Sequence, residues 1–167
     1  MALDHINVWL LEDGDGWTVV DTGLNLADAR EQWEGIFERV LKGRPIHRVI
    51  CTHMHPDHVG LAGWLCERFA CELWMSRTEY LYCRMLVADT GRTAPDEALE
   101  FYRRAGYNEE QLERYKKRFG FFGKAVSTLP QSYRRLIDLE TIEINGRYWQ
   151  IMEGSGHSPE HLCLYCP

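Results

Sequence analysis

His53-Met54-His55-Pro56-Asp57-His58 places three imidazoles and a carboxylate within six positions. These side chains are borderline metal ligands, and a tight turn lets several of them converge on one ion. Neutral imidazole together with carboxylate suits Zn²⁺ or Fe²⁺. An apolar segment, Val49-Ile50-Cys51-Thr52, precedes the run, and an amphipathic one begins after it at Val59. The motif therefore falls on a strand-to-helix connection, where flanking rigid elements hold a loop in fixed geometry. An exposed histidine-rich turn is the ordinary alternative, but chance seldom gathers three histidines and an aspartate so closely.

On the N-terminal side, residues 6–11 and 17–20 flank Asp13-Gly14-Asp15-Gly16. Two Asp-Gly dipeptides between apolar runs predict a β-hairpin. Trp33, Ile36, Phe37, Val40 and Leu41 recur at helical spacing, with Gly43 and Pro45 as stop signals. That spacing predicts an amphipathic helix over 26–42. Residues 46–51 then read as a strand, 53–58 as the loop, 59–69 as a helix and 71–75 as a returning strand. Such alternation predicts an α/β sandwich with helices covering a sheet.

Beyond residue 75 the pattern changes. Residues 76–130 are read as a helical insertion, with helices over 77–88, 95–105 and 109–118. Asn108 serves as N-cap of the last of these, with Gln111 as its capping-box partner. The strand pattern resumes at Thr141-Ile142-Glu143-Ile144, turns at Asn145-Gly146 and continues from Tyr148 to Ile151. No repeat or low-complexity tract interrupts the chain, which is read as one domain over 1–167 with the insertion inside it.

Composition sets the outer limits. A chain of 167 residues, 45% apolar and 26% charged, is that of an ordinary globular domain with a real core. A net charge of −6 gives no electrostatic reason to expect nucleic-acid binding. No apolar run approaches the roughly 20 residues that cross a bilayer, and no membrane association is expected. Met1-Ala2-Leu3-Asp4-His5 has neither a basic nor an apolar signal region, so a cytoplasmic location is expected. Without a signal, the six cysteines read as reduced core thiols. Cys163-x-x-Cys166 reads as part of a buried strand, because no second cysteine pair or helix N-terminus accompanies it.

Two further segments join the histidine motif. Asp21-Thr22-Gly23 follows the strand-like Trp17-Thr18-Val19-Val20, and Gly156-His157-Ser158-Pro159-Glu160-His161 lies near the end of the chain. In chain order, D-T-G, H-x-H-x-D-H and G-H-S/T-x-x-H resemble the signature of the metallo-β-lactamase-fold hydrolases, nearest in flavour to the glyoxalase-II-like and broad-specificity branches. The resemblance spans Asp21 to His161. It implies the N-terminal portion of an αββα sandwich. It also implies a first metal site of His53, His55 and His157, and a second begun by Asp57 and His58, with Asp57 also the catalytic carboxylate. Asp21 is expected to fix the orientation of a ligating histidine. His161 is expected to support the site without binding metal.

The same resemblance implies a hydrolase that uses one or two zinc ions, with iron as an alternative. The activated hydroxide would attack a thioester, lactone or related ester, a small-molecule substrate. An iron-dependent persulfide dioxygenase and a non-catalytic fragment or binding module are the competing readings. Family members carry a later bridging aspartate and a further histidine; no Asp follows His157 here, and His161 is too close to it to be that histidine. The fold is therefore expected to be C-terminally incomplete, with weak activity and self-association through exposed sheet. The insertion would act as a lid, in which Arg84, Arg92, Arg103, Arg104 and Tyr107 either meet an anionic group or form a solvated face. Phe119-Gly120-Phe121-Phe122-Gly123 would line an acyl pocket or pack the insertion down.

Overall fold

Two residues, Gly14 and Asp15, close the first hairpin, and Gly14 takes the left-handed φ of +62° that such a turn needs. It joins β1 (Trp9–Asp13) to β2 (Gly16–Val20) in antiparallel register. The computed structural model describes residues 5–167. β2 pairs parallel with β3 (Ile46–Ile50), β3 with β4 (Glu72–Met75), and β4 with the two-residue β5 (Arg134–Arg135). The five strands lie in sequence order. A second, antiparallel sheet holds β6 (Thr141–Ile144), β7 (Arg147–Gly154) and β8 (His161–Tyr165). Asn145 and Gly146, at φ +50° and +72°, form its first turn.

Side-chain alternation along the strands decides the layers. Val19, Val49 and Leu73 face the helices, where they pack with Trp33, Leu41 and Leu65. Val20 and Ile50 point the other way and pack with Ile142, Ile144, Ile151 and Leu162 of the second sheet. Each fully buried side chain of this size contributes about 1.5–3 kcal/mol of transfer free energy. Helices, first sheet and second sheet thus form three successive layers of an αββα sandwich, the fold class expected from the sequence.

The helices follow the sequence with two instructive departures. α1 (Ala27–Ile36) runs on as a π-helical turn, Phe37–Leu41, and stops where Lys42 and Gly43 take φ of +51° and +83°. The region read as a loop to His58 and a helix from Val59 is instead two helices, α2 (Pro56–Val59) and α3 (Ala62–Phe69). Pro56 starts the helix inside the motif, because its fixed φ suits the first turn and its missing N–H is not needed there. The break falls at Leu61, whose N–H turns away to the Gly23 carbonyl and the Thr22 hydroxyl. Gly60 beside it admits no side chain: a Cβ would lie 2.4–2.8 Å from the carbonyl oxygens of Pro56, Gly23 and Ala125.

α4 (Arg77–Ala88), α5 (Asp96–Arg104) and α6 (Glu109–Arg118) make up the helical segment between β4 and β5, and the Asn108–Gln111 capping box forms at α6. Among the described residues no helix is long and apolar enough to cross a membrane. Cys51, Cys66 and Cys83 are buried, whereas Cys163 is exposed, so β8 carries that thiol outward rather than into a core.

Candidate metal centre

β2 and β3 run parallel and end side by side, so the segments leaving the two strands meet at one end of the sheet. After β2 comes Asp21, held at φ +61°, a left-handed conformation that aspartate tolerates better than most residues. Its N–H donates to the Ile50 carbonyl at 2.9 Å. Its carboxylate, 5% exposed, accepts the Thr52 backbone N–H at 2.8 Å and the Thr52 hydroxyl at 2.9 Å. The same carboxylate lies 2.8 Å from His58 Nδ1. Thr22 continues the stitching: its N–H and its hydroxyl both donate to the His58 carbonyl, each at 2.7 Å.

These contacts set the tautomers. His58 Nδ1–H donates to the Asp21 carboxylate, which leaves Nε2 as the outward lone pair. The Thr52 hydroxyl gives its hydrogen to Asp21, so His53 Nδ1, 2.9 Å away, donates to the Thr52 oxygen and frees its own Nε2. Asp21 thus orients two histidines, one directly and one through Thr52. Thr52 had no distinguishing signal in the sequence.

Nitrogens of His53, His55 and His157 converge. His53 Nε2 and His157 Nε2 are 3.2 Å apart, and His55 Nδ1 is 3.1 Å from His157 Nε2. All three donor atoms lie within 4.8 Å of one another. A tetrahedral zinc with Zn–N bonds of about 2.0–2.1 Å separates its ligands by roughly 3.3–3.4 Å. The two short edges match such an ion to within a few tenths of an ångström. Three imidazoles leave a fourth position open. His58 Nε2 and the Asp57 carboxylate, 3.5 Å apart, stand beside this cluster on the same cleft of about 520 Å³. His161 lies there too, its ring stacked on His53 with centroids 4.7 Å apart.

A further buried carboxylate joins the loops, and sequence reasoning missed it. Glu79, on the first turn of α4, is fully buried and accepts the N–H of Met54 at 2.9 Å and of Glu160 at 2.8 Å. It ties the histidine motif to the loop that carries His157. Glu160 returns the contact. Its carboxylate accepts the Thr78 N–H at 2.8 Å and its carbonyl accepts the Ser76 hydroxyl at 3.0 Å. Burial pushes the Glu160 carboxyl up, but the Thr78 hydrogen bonds and the charge of Arg135 outweigh it and keep the group low. An acidic residue in a first helical turn is commonplace, so only tertiary structure reveals this role.

The histidines titrate in opposite senses. Burial first, then the charges of His58, His55, His161 and His157, holds His53 down at about 3. Burial likewise lowers His55 and His161. Burial also opposes the charge on His58, yet its hydrogen bond to Asp21 and that carboxylate's charge raise it. Below the ordinary imidazole value of 6.5 the unfolded chain binds protons that folded His53 refuses. The stability of the metal-free protein is therefore expected to fall as pH drops from 6.5 toward 3, by up to ~1.4 kcal/mol per pH unit from His53 alone. The His58 contribution is complete below 6.5 and is lost as pH rises through its raised folded value. Urea melts at stepped pH read this out, and a flat midpoint from 6.5 to 3 would contradict it.

A family model described as the metallo-beta-lactamase superfamily matches residues 1–167. The chain belongs to that superfamily. A solved beta-lactamase domain protein from Burkholderia ambifaria is 38% identical, with a TM-score of 0.83 over 99% of this chain and 48% of that one. A metallo-beta-lactamase family protein from Thermus thermophilus is 25% identical, with a TM-score of 0.72 over 95% of this chain and 50% of that one. The probable metallo-hydrolase YybB of Bacillus subtilis (strain 168) is 33% identical over 78 residues, 46% of this chain and 33% of its own length. Another neighbour, solved in a di-iron-bound form, shares the fold at 22% identity and a TM-score of 0.57. This superfamily chain spans about half the length of the two more similar solved relatives and matches a third of the curated one.

Away from the cleft, most of the insertion's cations answer to local partners. Arg92 pairs with Asp89, and Arg103 and Arg104 with Glu100. Arg84 bonds Tyr80 and Gln131. These contacts favour the solvated face over an anion-binding one. In the aromatic stretch Phe122 packs against the helix-side core, while Phe121 is exposed.

Proposed function

We propose that this chain carries the metal-binding portion of a metal-dependent hydrolase that cleaves a thioester, lactone or related ester. The observation that carries the reading is the three-histidine cluster, whose free lone pairs meet within 4.8 Å beside Asp57 and His58. His53, His55 and His157 would hold the first ion, and Asp57 with His58 would begin the second site. Zinc bound there supplies Lewis acidity toward a carbonyl and lowers the pKa of a water toward ~7. Asp57 would accept a hydrogen bond from the attacking water and take its proton as the water adds to the carbonyl carbon. Asp21 and Thr52 would keep His58 and His53 from rotating, and Glu79 would keep the two ligand loops in register. His161, stacked on His53, would shield that ring from solvent.

An iron-bound reading has its own support. Imidazole and carboxylate suit Fe²⁺ as they suit Zn²⁺, and the di-iron neighbour shows that this fold accommodates iron. The partner expected in either case is a small molecule. Elemental analysis of the purified chain, followed by assays on thioester and lactone panels, tests the proposal. About one zinc per chain is expected, with turnover strengthened by added zinc. Iron with no hydrolysis would favour oxygenase chemistry. A folded chain that binds no metal and turns nothing over would overturn both readings in favour of a binding module.

A further inference from the structure

The C-terminus of α3 closes on two thiols. Ala70 takes φ +51°, its N–H reaches the Glu67 carbonyl at 3.4 Å, and the Cys71 N–H reaches back to the Cys66 carbonyl at 3.1 Å. This six-to-one bond is a Schellman closure, which folds the side chain two places beyond the last turn against a residue within that turn. The pair so joined is usually apolar. Here both members are cysteines, so the closure sets two thiols against each other where an apolar pair usually sits.

The two thiols differ in access and in protonation. Cys66 is 4% exposed and belongs to the helix-side core, whereas Cys71 is half-buried at its edge. Both line a surface cavity of about 580 Å³ together with Gly63, Leu129 and Gln131. The interaction with the Cys71 thiol, together with burial, pushes the Cys66 thiol up. The same interaction draws Cys71 the other way, against the opposing effects of burial and Glu72. A partly accessible thiol beside a buried neighbouring one is the arrangement of an attacking and a resolving cysteine.

The other cysteines lack it. Burial pushes Cys83 up to about 12 and Cys51 well above the usual thiol value. Cys163 lies on β8 and is exposed, while Cys166 falls beyond the strand's end at Tyr165.

We propose that Cys71 and Cys66 form a thiol modification site that reacts with low-molecular-weight disulfides and closes to an intramolecular disulfide. In the first step the Cys71 thiolate attacks one sulfur of the reagent, forming a mixed disulfide and expelling one thiolate. Cys66 then loses its proton and attacks the Cys71 sulfur, breaking the mixed disulfide and expelling the second thiolate. The two protein thiols are oxidised by two electrons, and the reagent is reduced to two thiols. The reaction uses no metal and does not depend on the hydrolase reading.

The test is incubation of the folded chain with oxidised glutathione, followed by alkylation, trypsin and mass spectrometry. Trypsin cuts after Arg68, between the two cysteines, so the disulfide would join the peptide ending at Arg68 to residues 69–77. That linked pair is expected, with fragmentation placing the bond on Cys66 rather than Cys51. Cys66→Ser is expected to leave glutathione on Cys71, and Cys71→Ser to abolish the link and leave Cys66 unmodified. Full alkylation of Cys66 and Cys71 while Cys163 takes the glutathione would overturn the proposal, and so would a link through Cys51. Mapping of the unsubstituted chain decides the matter even where a variant fails to fold.

Discussion

His55→Ala is expected to remove most of the chain's metal affinity while leaving its fold in place. Structural zinc sites of four ligands bind with roughly 12 kcal/mol, so one ligand is worth about 3 kcal/mol, or ~10²-fold in affinity. With His55 gone, His53 and His157 are left as two ligands from the cluster. The fold should survive because the His55 ring is only half-buried and its polar contact is with another histidine of the cluster. His53→Ala would be a poorer test, since that ring is 1% exposed and its loss would also open a cavity. Competition with a chromophoric chelator measures the affinity, and circular dichroism with a urea melt checks the fold. A variant with unchanged metal content would sink the three-histidine assignment. Asp57→Asn serves as contrast: it spares all three histidines, so first-site affinity should hold while turnover falls.

How much of this site could be read from residues alone depended on whether its parts were close in sequence. His53, His55, Asp57 and His58 announce themselves because a single turn supplies four donors. His157 and Asp21 were legible only through the order of three short motifs, since G-H-S-P and D-T-G are each weak. Glu79 and Thr52 were illegible. One is an acidic residue at a helix start and the other a threonine after a strand, and both are ordinary there. The fold divides the same way. Turns fixed by Asp-Gly and Asn-Gly were readable, as was the Asn108 cap. The break at Leu61 was not, because it depends on the Thr22 hydroxyl and Gly23 carbonyl arriving from another part of the chain. Cys66 and Cys71 carry no signal in the sequence that sets them apart from Cys51 or Cys83. Only the left-handed turn at Ala70 sets Cys66 and Cys71 apart.

Glu79→Gln is expected to be the most damaging conservative change outside the histidines. The native carboxylate is fully buried, and each oxygen accepts one backbone N–H, from Met54 and from Glu160. Glutamine keeps the volume, but one of its two terminal atoms is an NH₂ group facing a backbone N–H. One charge-assisted bond becomes an ordinary one, and the other becomes two donors forced together. The cost should be about 2–4 kcal/mol, since an unsatisfied buried donor alone costs ~1–3 kcal/mol and bonds to ionised acceptors are the stronger kind. Glu79→Ala should cost more, as it strands both N–H groups and adds a cavity. The damage should also reach the metal centre, because Met54 lies between His53 and His55 while Glu160 follows His157 by three residues. Loss of such supporting contacts typically lowers metal affinity 10- to 100-fold. Urea melts and chelator competition on one preparation separate the two effects. A melt within ~0.5 kcal/mol of the parent, the range of an ordinary surface change, would mean that the two ligand loops hold their register without Glu79.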